Sequence, residues 1–198
     1  MNKTTERHLK LTDINSIMSS ILRFIRANKT DAYLVGGAVR DACLKRTTED
    51  LDLIVSSSTQ DVGLELAKHL DGKCISLDAK RNIQRIVFGQ KSLTLDVSYL
   101  HQSEDVAGNL SRRDFTIDAM AISLNELSEQ SAAKVIDPTD GYSDLLKRSI
   151  RATSEATLRA DPVRILRGVR LSAQLDFSLE TKTITWMKKN NHLLSDIS

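Results

Sequence analysis

Apolar residues recur every three or four positions at Ile14, Ile17, Met18, Ile21, Leu22 and Ile25. That spacing predicts an amphipathic helix running to about Asn28, capped by Thr12 or Asp13. Ahead of it residues 1–10 are polar and read as frayed. Ala32 to Val35 is a first strand and Ala38 to Leu44 a short helix. Leu51 to Val55 is almost wholly apolar and reads as a strand buried on both faces. Ser56 to Ser58 is a turn. Thr59 or Asp61 opens a helix striped by Val62, Leu66 and Leu70, and Asp71-Gly72 stops it. Cys74 to Leu77 is a strand. Ile83 to Phe88 and Leu93 to Leu100 flank Gly89-Gln90-Lys91 and read as a hairpin.

The second half is less regular. Ser98 to Ser111 is short and polar, Met120 to Leu124 is a strand, and Glu126 to Ala133 is a polar excursion. Val135 to Gly141 is a strand end and turn, with Pro138 and Gly141 in turn positions. A helix from Tyr142 to Lys147 and an extended run from Ile150 to Ala152 follow. Asp161-Pro162 is a helix-start pair. On that helix Val163, Leu166, Val169 and Ala173 form one apolar face, with Arg164, Arg167 and Arg170 on successive turns of the other. Glu180 to Asn190 makes one more helix, with Ile184 and Met187 inward and Trp186 packing against its surroundings.

The 198 residues suffice for one domain, or one and part of a second. The formal charge of +2 does not announce nucleic acid. Positive charge is local instead: six arginines and no lysine stand between Arg148 and Arg170. Arginine suits bidentate recognition of phosphates and bases, although a solvated helix face has the same composition. Cys43 and Cys74 have no metal-ligand spacing and read as buried free thiols. A polar N-terminus and the lack of a long apolar run predict a cytoplasmic protein with no membrane partner.

The chemistry concentrates between Tyr33 and Val55. There an apolar run ends in Gly36-Gly37, turns through Ala38-Val39-Arg40-Asp41, and resumes as Asp50-Leu-Asp52-Leu-Ile-Val55. Positions i and i+2 of a strand share a face, so Asp50 and Asp52 project together and repel unless a cation stands between them. Mg2+ takes oxygen ligands and keeps substrate phosphates as further partners. Gly36 and Gly37 admit a close anion at a helix N-terminus. The bland alternative is a buried strand with surface acids and a tight turn, and Arg40 could equally be a surface ion pair with Asp41. Asp96, between Leu95 and Val97, is costly within a strand unless it is paired or faces a cleft. Its bland reading is an edge-strand acid facing water.

Leu34-Val-Gly-Gly-Ala-Val-Arg-Asp41 and Asp50-Leu-Asp52 resemble the head of the class II tRNA nucleotidyltransferase and poly(A) polymerase family, a branch of the polymerase-beta-like nucleotidyltransferases. Arg112-Arg-Asp-Phe-Thr-Ile-Asp-Ala-Met-Ala121 and Ala160-Asp-Pro-Val-Arg-Ile-Leu-Arg167 continue the likeness in the same order. The resemblance implies an α/β (α+β) head, a mixed β-sheet flanked by helices, over 31–152. A helix over 1–30 would precede it, and the start of an all-helical neck over 153–198 would follow. It implies template-independent addition of C, A or both to the 3′ end of tRNA from CTP and ATP. Two Mg2+ ions would be held by Asp50 and Asp52 with Asp96 as the third carboxylate.

The same likeness assigns Gly36, Gly37, Arg40, Arg112 and Arg113 to the triphosphate and Asp114 to the ribose, although Asp114 also suits a cap for a turn beginning at Phe115. Asp161 and Arg164 would read the base edge, with Arg167 and Arg170 assisting; by itself Asp161 reads as a simple cap. Two positions depart from the family: Asp118 stands for its usual Asn, and Ala160 for its usual Glu. Set against the longer loop of many family members, the short run from Ser98 to Ser111 favours addition of the two cytidines alone, or a different activity altogether. Family members continue into helical regions that hold tRNA, so a chain stopping at Ser198 reads as a truncated piece or a minimal member. The alternatives are a poly(A) polymerase and an idle head that only binds nucleotide or RNA. The oligomeric state is left open.

Overall fold

The computed structural model describes residues 7–9, 16–56, 61–78, 82–89, 92–100, 104–128 and 132–196. Its contacts divide the chain into two compact units. The first comprises residues 1–106 and 121–136; the second comprises 107–120 and 137–198. They interleave along the sequence because 107–120 packs with the C-terminal helices.

The first unit is built on a mixed sheet flanked by helices. Its strands are β1 (His8–Leu9), β2 (Asp31–Val35), β3 (Asp50–Ser56), β4 (Lys73–Asp78), β5 (Ile83–Val87), β6 (Thr94–Tyr99), β7 (Ala121–Ser123) and β8 (Ala133–Ile136). Among the described residues they form eight strands in the order β1-β8-β7-β2-β3-β6-β5-β4. Only the β3–β6 pairing is parallel. That pairing is what the intervening α3 (Val62–His69) and hairpin make possible, since parallel neighbours need a crossover.

Gly63 of α3 approaches so close to Gln84 that a Cβ would lie 1.9 Å from its Oε1. Tyr99 accepts from the Gly63 N–H (3.3 Å) and donates to Gln84 Oε1 (3.1 Å). Burial raises the Tyr99 phenol above its ordinary pKa, so it stays protonated as that donor. The helix therefore covers the sheet face that carries Gln84, Leu95, Val97 and Tyr99. Strand alternation sends Arg85, Asp96 and Asp52 to the opposite face. α1 (Met18–Ala27) buries Met18, Ile21, Leu22 and Ile25 of the stripe read from the sequence, and Phe24 besides, while Ile17 before it is only half-buried. α2 (Gly37–Cys43) follows β2 through Gly36, whose φ of 73° and ψ of −139° are open to glycine and costly for other residues.

The second unit contains α4 (Val106–Ser111, entered from the sheet unit at its first residue), a 3-10 turn (Thr116–Asp118), α5 (Gly141–Leu146), β9 (Ser149–Ile150), α6 (Glu155–Ala160), α7 (Val163–Leu175), β10 (Ser178–Leu179), α8 (Thr181–Asn190) and a terminal 3-10 turn (Asn191–Asp196). Its core is knit by a buried carboxylate. Asp144 Oδ2 accepts from the Thr116 hydroxyl (2.7 Å) and from Arg151 Nε (2.8 Å), and Arg151 Nη2 also reaches Thr139 O (2.6 Å). Gly141 is required beside them, because a Cβ there would lie 1.9 Å from the Thr116 carbonyl oxygen.

Four expectations change. His8–Leu9 are not frayed: they pair with β8, and Leu9 is fully buried. The apolar face of α7 is rotated from the one predicted. Ile165, Gly168, Leu171 and Leu175 are buried, while Val163, Leu166 and Val169 are exposed by 41, 56 and 54%. Gly168 decides this, because Met187 and Phe115 crowd in where its Cβ would be. The helix α6 was not foreseen, although Ser154 caps it by accepting from the Thr157 N–H (3.2 Å). Cys43 and Cys74 form no disulfide, as expected, but they are half-buried rather than buried, and burial raises the Cys74 pKa. The expected capping by Thr12 or Asp13, Ile14 of the helical stripe, Ser57, Ser58, Thr59 and the turn residues Gln90 and Lys91 lie outside the described residues.

Candidate active site

In the sheet unit, β3 and β6 set three acids on one face. Parallel register places Asp52 beside Asp96 and Asp50 beside Thr94. Strands lie roughly 4.8 Å apart, so Asp52 and Asp96 are immediate lateral neighbours. Asp50 is exposed and Asp52 and Asp96 are half-exposed, while Leu51, Leu53, Leu95 and Val97 between them are buried. Buried residues on either side fix the backbone that presents the acids. Thr94 donates its hydroxyl to Asp50 Oδ1 (2.7 Å), and Thr48 Oγ1 accepts from the Asp50 N–H (3.2 Å).

Asp96 is held from the other side. Antiparallel register puts Arg85 of β5 opposite it. Arg85 Nε meets Oδ1 at 2.6 Å and Nη2 meets Oδ2 at 2.7 Å, a two-pronged pair. The hydrogen bond to Asp96 raises the Arg85 pKa most, and the charges of Asp96, Asp50 and Asp52 add to it against the opposing effect of burial. One guanidinium thus senses all three acids. This answers how a strand interior tolerates Asp96: it is paired. Sequence reading passed over Arg85, yet any hairpin pairing Val87 with Thr94 also pairs Arg85 with Asp96. An arginine and an aspartate at matching distances from one turn are the signal that would have found it.

Arg40 is buried, not a surface residue. It forks onto its neighbour Asp41, Nε to Oδ1 at 2.9 Å and Nη2 to Oδ2 at 3.0 Å. Its guanidinium folds over Gly37, where a Cβ would stand 3.3 Å from Nη2. Gly36 joins β2 to α2, Gly37 opens α2, and the last residue of β2, Val35, pairs with Asp52 of β3.

In the helical unit the remaining candidates are cross-linked among themselves. Asp114 Oδ1 accepts from the Phe115 N–H (3.0 Å), but this is not the cap anticipated: Phe115 itself precedes the 3-10 turn Thr116–Asp118, which has no side-chain capping bond. Its other oxygen faces Arg167 Nε at 2.9 Å. That oxygen is otherwise buried without an aligned hydrogen bond, so the contact is an ion pair more than a directional bond. The segment is stitched down by Thr153, which donates to the Arg113 carbonyl and gives its N–H to Asp114 O (3.0 Å). Arg164 Nη1 donates to Arg112 O and Thr157 O, each at 3.3 Å, and Nε stands 3.6 Å from Asp161 Oδ2. Asp161 Oδ1 accepts from the Val163 N–H (3.2 Å), so Asp161 does cap α7. Arg167 and Arg170 are on the exposed side of α7. Asp118, in the place of the family's Asn, is buried within the 3-10 turn, and Ala160 is the exposed last residue of α6.

The structure therefore gathers Asp50, Asp52 and Asp96 with Arg85 in one unit, and Arg112, Asp114, Asp161, Arg164 and Arg167 in the other. The acid set suits a hard cation: its donors are carboxylate oxygens, two of them on one strand face. Among the described residues, however, no three acidic, histidine or cysteine side chains converge as a ready-made metal cage. No helix among them is long and apolar enough to cross a membrane.

Comparison with known proteins places this geometry. Residues 32–151 match the model of the poly(A) polymerase head domain. The chain is 33% identical over 192 residues to the CC-adding tRNA nucleotidyltransferase of Geobacter sulfurreducens, covering 96% of this chain and 43% of that protein. It is 35% identical to the CCA-adding enzyme of Streptococcus thermophilus, covering 90% of this chain and 45% of the other. A solved complex of a CCA-adding enzyme with CTP superposes with a TM-score of 0.76 at 28% identity, over 95% of this chain and 46% of that one. The chain thus spans less than half the length of the curated relatives it matches.

Proposed function

Since the chain belongs to the poly(A) polymerase head-domain family, we propose that it is the nucleotidyltransferase head of an enzyme that extends the 3′ end of tRNA with nucleotides from CTP, ATP or both. The observation that carries this reading is the side-by-side register of Asp52 and Asp96 with Asp50 on the same face. Of the curated relatives named above, one is a CC-adding tRNA nucleotidyltransferase and the other a CCA-adding enzyme, and the solved relative is a complex with CTP.

Asp50 and Asp52, with Asp96 as third carboxylate, would hold Mg2+, two ions in the full reaction. When bound, Mg2+ neutralises phosphate charge and acidifies a hydroxyl nucleophile. The chain's own contribution is positioning. Thr94 and Thr48 orient Asp50, and the buried flanks of β3 and β6 hold the acids in line. Gly36 leaves the backbone open at the turn where a triphosphate would approach, and Arg40 lies over Gly37 with its charge directed by Asp41. In the helical unit, Arg112 and Arg113 serve the triphosphate, Asp114 the ribose, and Asp161 with Arg164 the base edge, with Arg167 and Arg170 assisting. An acceptor and a donor fork three residues apart on one helix start offer complementary groups to a base edge without a template.

The finer reading is addition of C alone. β6 and α4 take up both ends of the Ser98–Ser111 run, leaving little chain for a long loop. One relative is itself a CC-adding enzyme. The test uses tRNA transcripts ending before the first C, after C-C and after C-C-A, with labelled CTP or ATP and Mg2+. Incorporation of C alone supports the finer reading. C followed by A gives the CCA product, and a long A tail gives a poly(A) polymerase. Nucleotide binding without any incorporation makes the head an idle binding module.

A further inference from the structure

We infer that Arg85 withholds Asp96 from a divalent cation in the nucleotide-free protein, so that the cation is held through Asp50 and Asp52 and competes with the guanidinium for the third carboxylate. This rests on the reading above, in which a cation occupies the β3–β6 face. It concerns how the chain's own residues regulate access to that face.

Three observations support it. First, the pair uses both oxygens of Asp96, at 2.6 and 2.7 Å. A cation that chelates a carboxylate through both oxygens needs the lone pairs that the guanidinium now occupies. Second, the pair is set by the sheet. Arg85 and Asp96 are register partners, flanked by the fully buried Ile86 and Leu95. Both side chains are partly shielded, 37% and 21% exposed, so the contact is more than a transient surface association. Third, Asp52 is the register neighbour of Asp96 on the other side, with Asp50 on the same face. Arg85 is therefore the protein's own counter-charge in a row of acids. Removing Arg85 makes the row more negative by one charge. Arg85 acts through Asp96 and is a positioning residue.

The experiment is calorimetric titration of the chain with Mn2+ alone, without nucleotide or tRNA. Removing one positive charge beside a partly exposed site should tighten Mn2+ binding on the order of ten-fold in Arg85→Gln. Arg85→Gln/Asp96→Asn restores the face charge and should return to about the wild-type affinity. Arg85→Lys keeps the charge but can engage only one oxygen, and should fall between the two; it carries the test if Arg85→Gln does not fold, as judged by circular dichroism. Unchanged or weaker binding in the folded Arg85 variants overturns the inference, because Arg85 would then only brace the sheet or present Asp96 to the cation. Absence of Mn2+ binding in every variant overturns it as well. The two readings fail separately. Tighter binding without nucleotide incorporation sinks only the enzymatic reading, and incorporation by the wild type with unaltered Mn2+ affinity in Arg85→Gln sinks only this one.

Discussion

At the β3–β6 end of the sheet unit, register lines up Asp52 with Asp96 and sets Asp50 on the same face, with Arg85 forked onto Asp96. In the helical unit, by contrast, the prominent acids are matched: Asp144 with Arg151, Asp114 with Arg167, Asp161 with Arg164, Asp176 with Arg148. Both regions concentrate charge, but strands hold like charges abreast whereas helix starts and turns distribute opposite ones. Excess negative charge on a rigid face is unfavourable until a cation arrives, and is useful only for that reason. Matched pairs stabilise the fold as it stands. Substitutions should therefore separate the two regions: loss of activity with little loss of stability in one, and the reverse in the other.

The sharpest separation is expected from Asp50→Ala with Asp52→Ala. Loss of both presumed cation ligands should lower nucleotide incorporation by at least about 1,000-fold, while the melting temperature holds or rises because repulsion is relieved. Undiminished incorporation would refute the mechanism. Next is Asp144→Ala, which leaves the buried Thr116 hydroxyl without its acceptor and takes one partner from the partly exposed Arg151. We expect a loss of about 2–3 kcal/mol in urea unfolding, with Mn2+ affinity of the sheet unit unaltered.

Arg167→Met should be milder, since Arg167 is half-exposed and Asp114 keeps the Phe115 N–H. About 1–3 kcal/mol is expected, and a loss near zero would mean that solvent satisfies Asp114 already. The smallest effect concerns Glu155, whose pKa is lowered, first by the hydrogen bond from Lys189 and then by that from Asn190. A carboxyl with a folded pKa below its unfolded value adds stability above the unfolded value, and that stability is lost as pH falls through the folded one. Glu155→Gln should remove this contribution, so its stability–pH profile lies slightly below the wild type at neutral pH and converges with it in acid, giving a flatter acid limb; identical profiles in urea unfolding across pH would show that the pair contributes nothing.

Much of this was legible in the sequence. The shared face of Asp50 and Asp52 follows from strand alternation, the Gly36 turn from an apolar run ending in two glycines, and the bond from the Val163 N–H to Asp161 from its position before Pro162. These depend on neighbours within a few residues, where backbone geometry alone sets the outcome. The family motifs marked the same residues. The short strand at His8–Leu9 and the short helix α6 were less legible, because neither is long enough to express a period.

The order of acids along β3 and the placing of the longer helices and strands were thus determined by the chain's own local pattern. Which acid stands beside Asp52, and which arginine holds it, was decided by the sheet. Asp96 lies 44 positions from Asp52, and only the β3–β6 register joins them. The buried side of α7 was decided in the same way. Periodicity offered an apolar stripe at Val163, Leu166 and Val169, but Gly168 presents the gap into which Phe115 and Met187 fit. A repeat of 3.6 residues identifies a helix and its possible faces; close packing chooses among them, because only the face with room for its neighbours removes their surface from water.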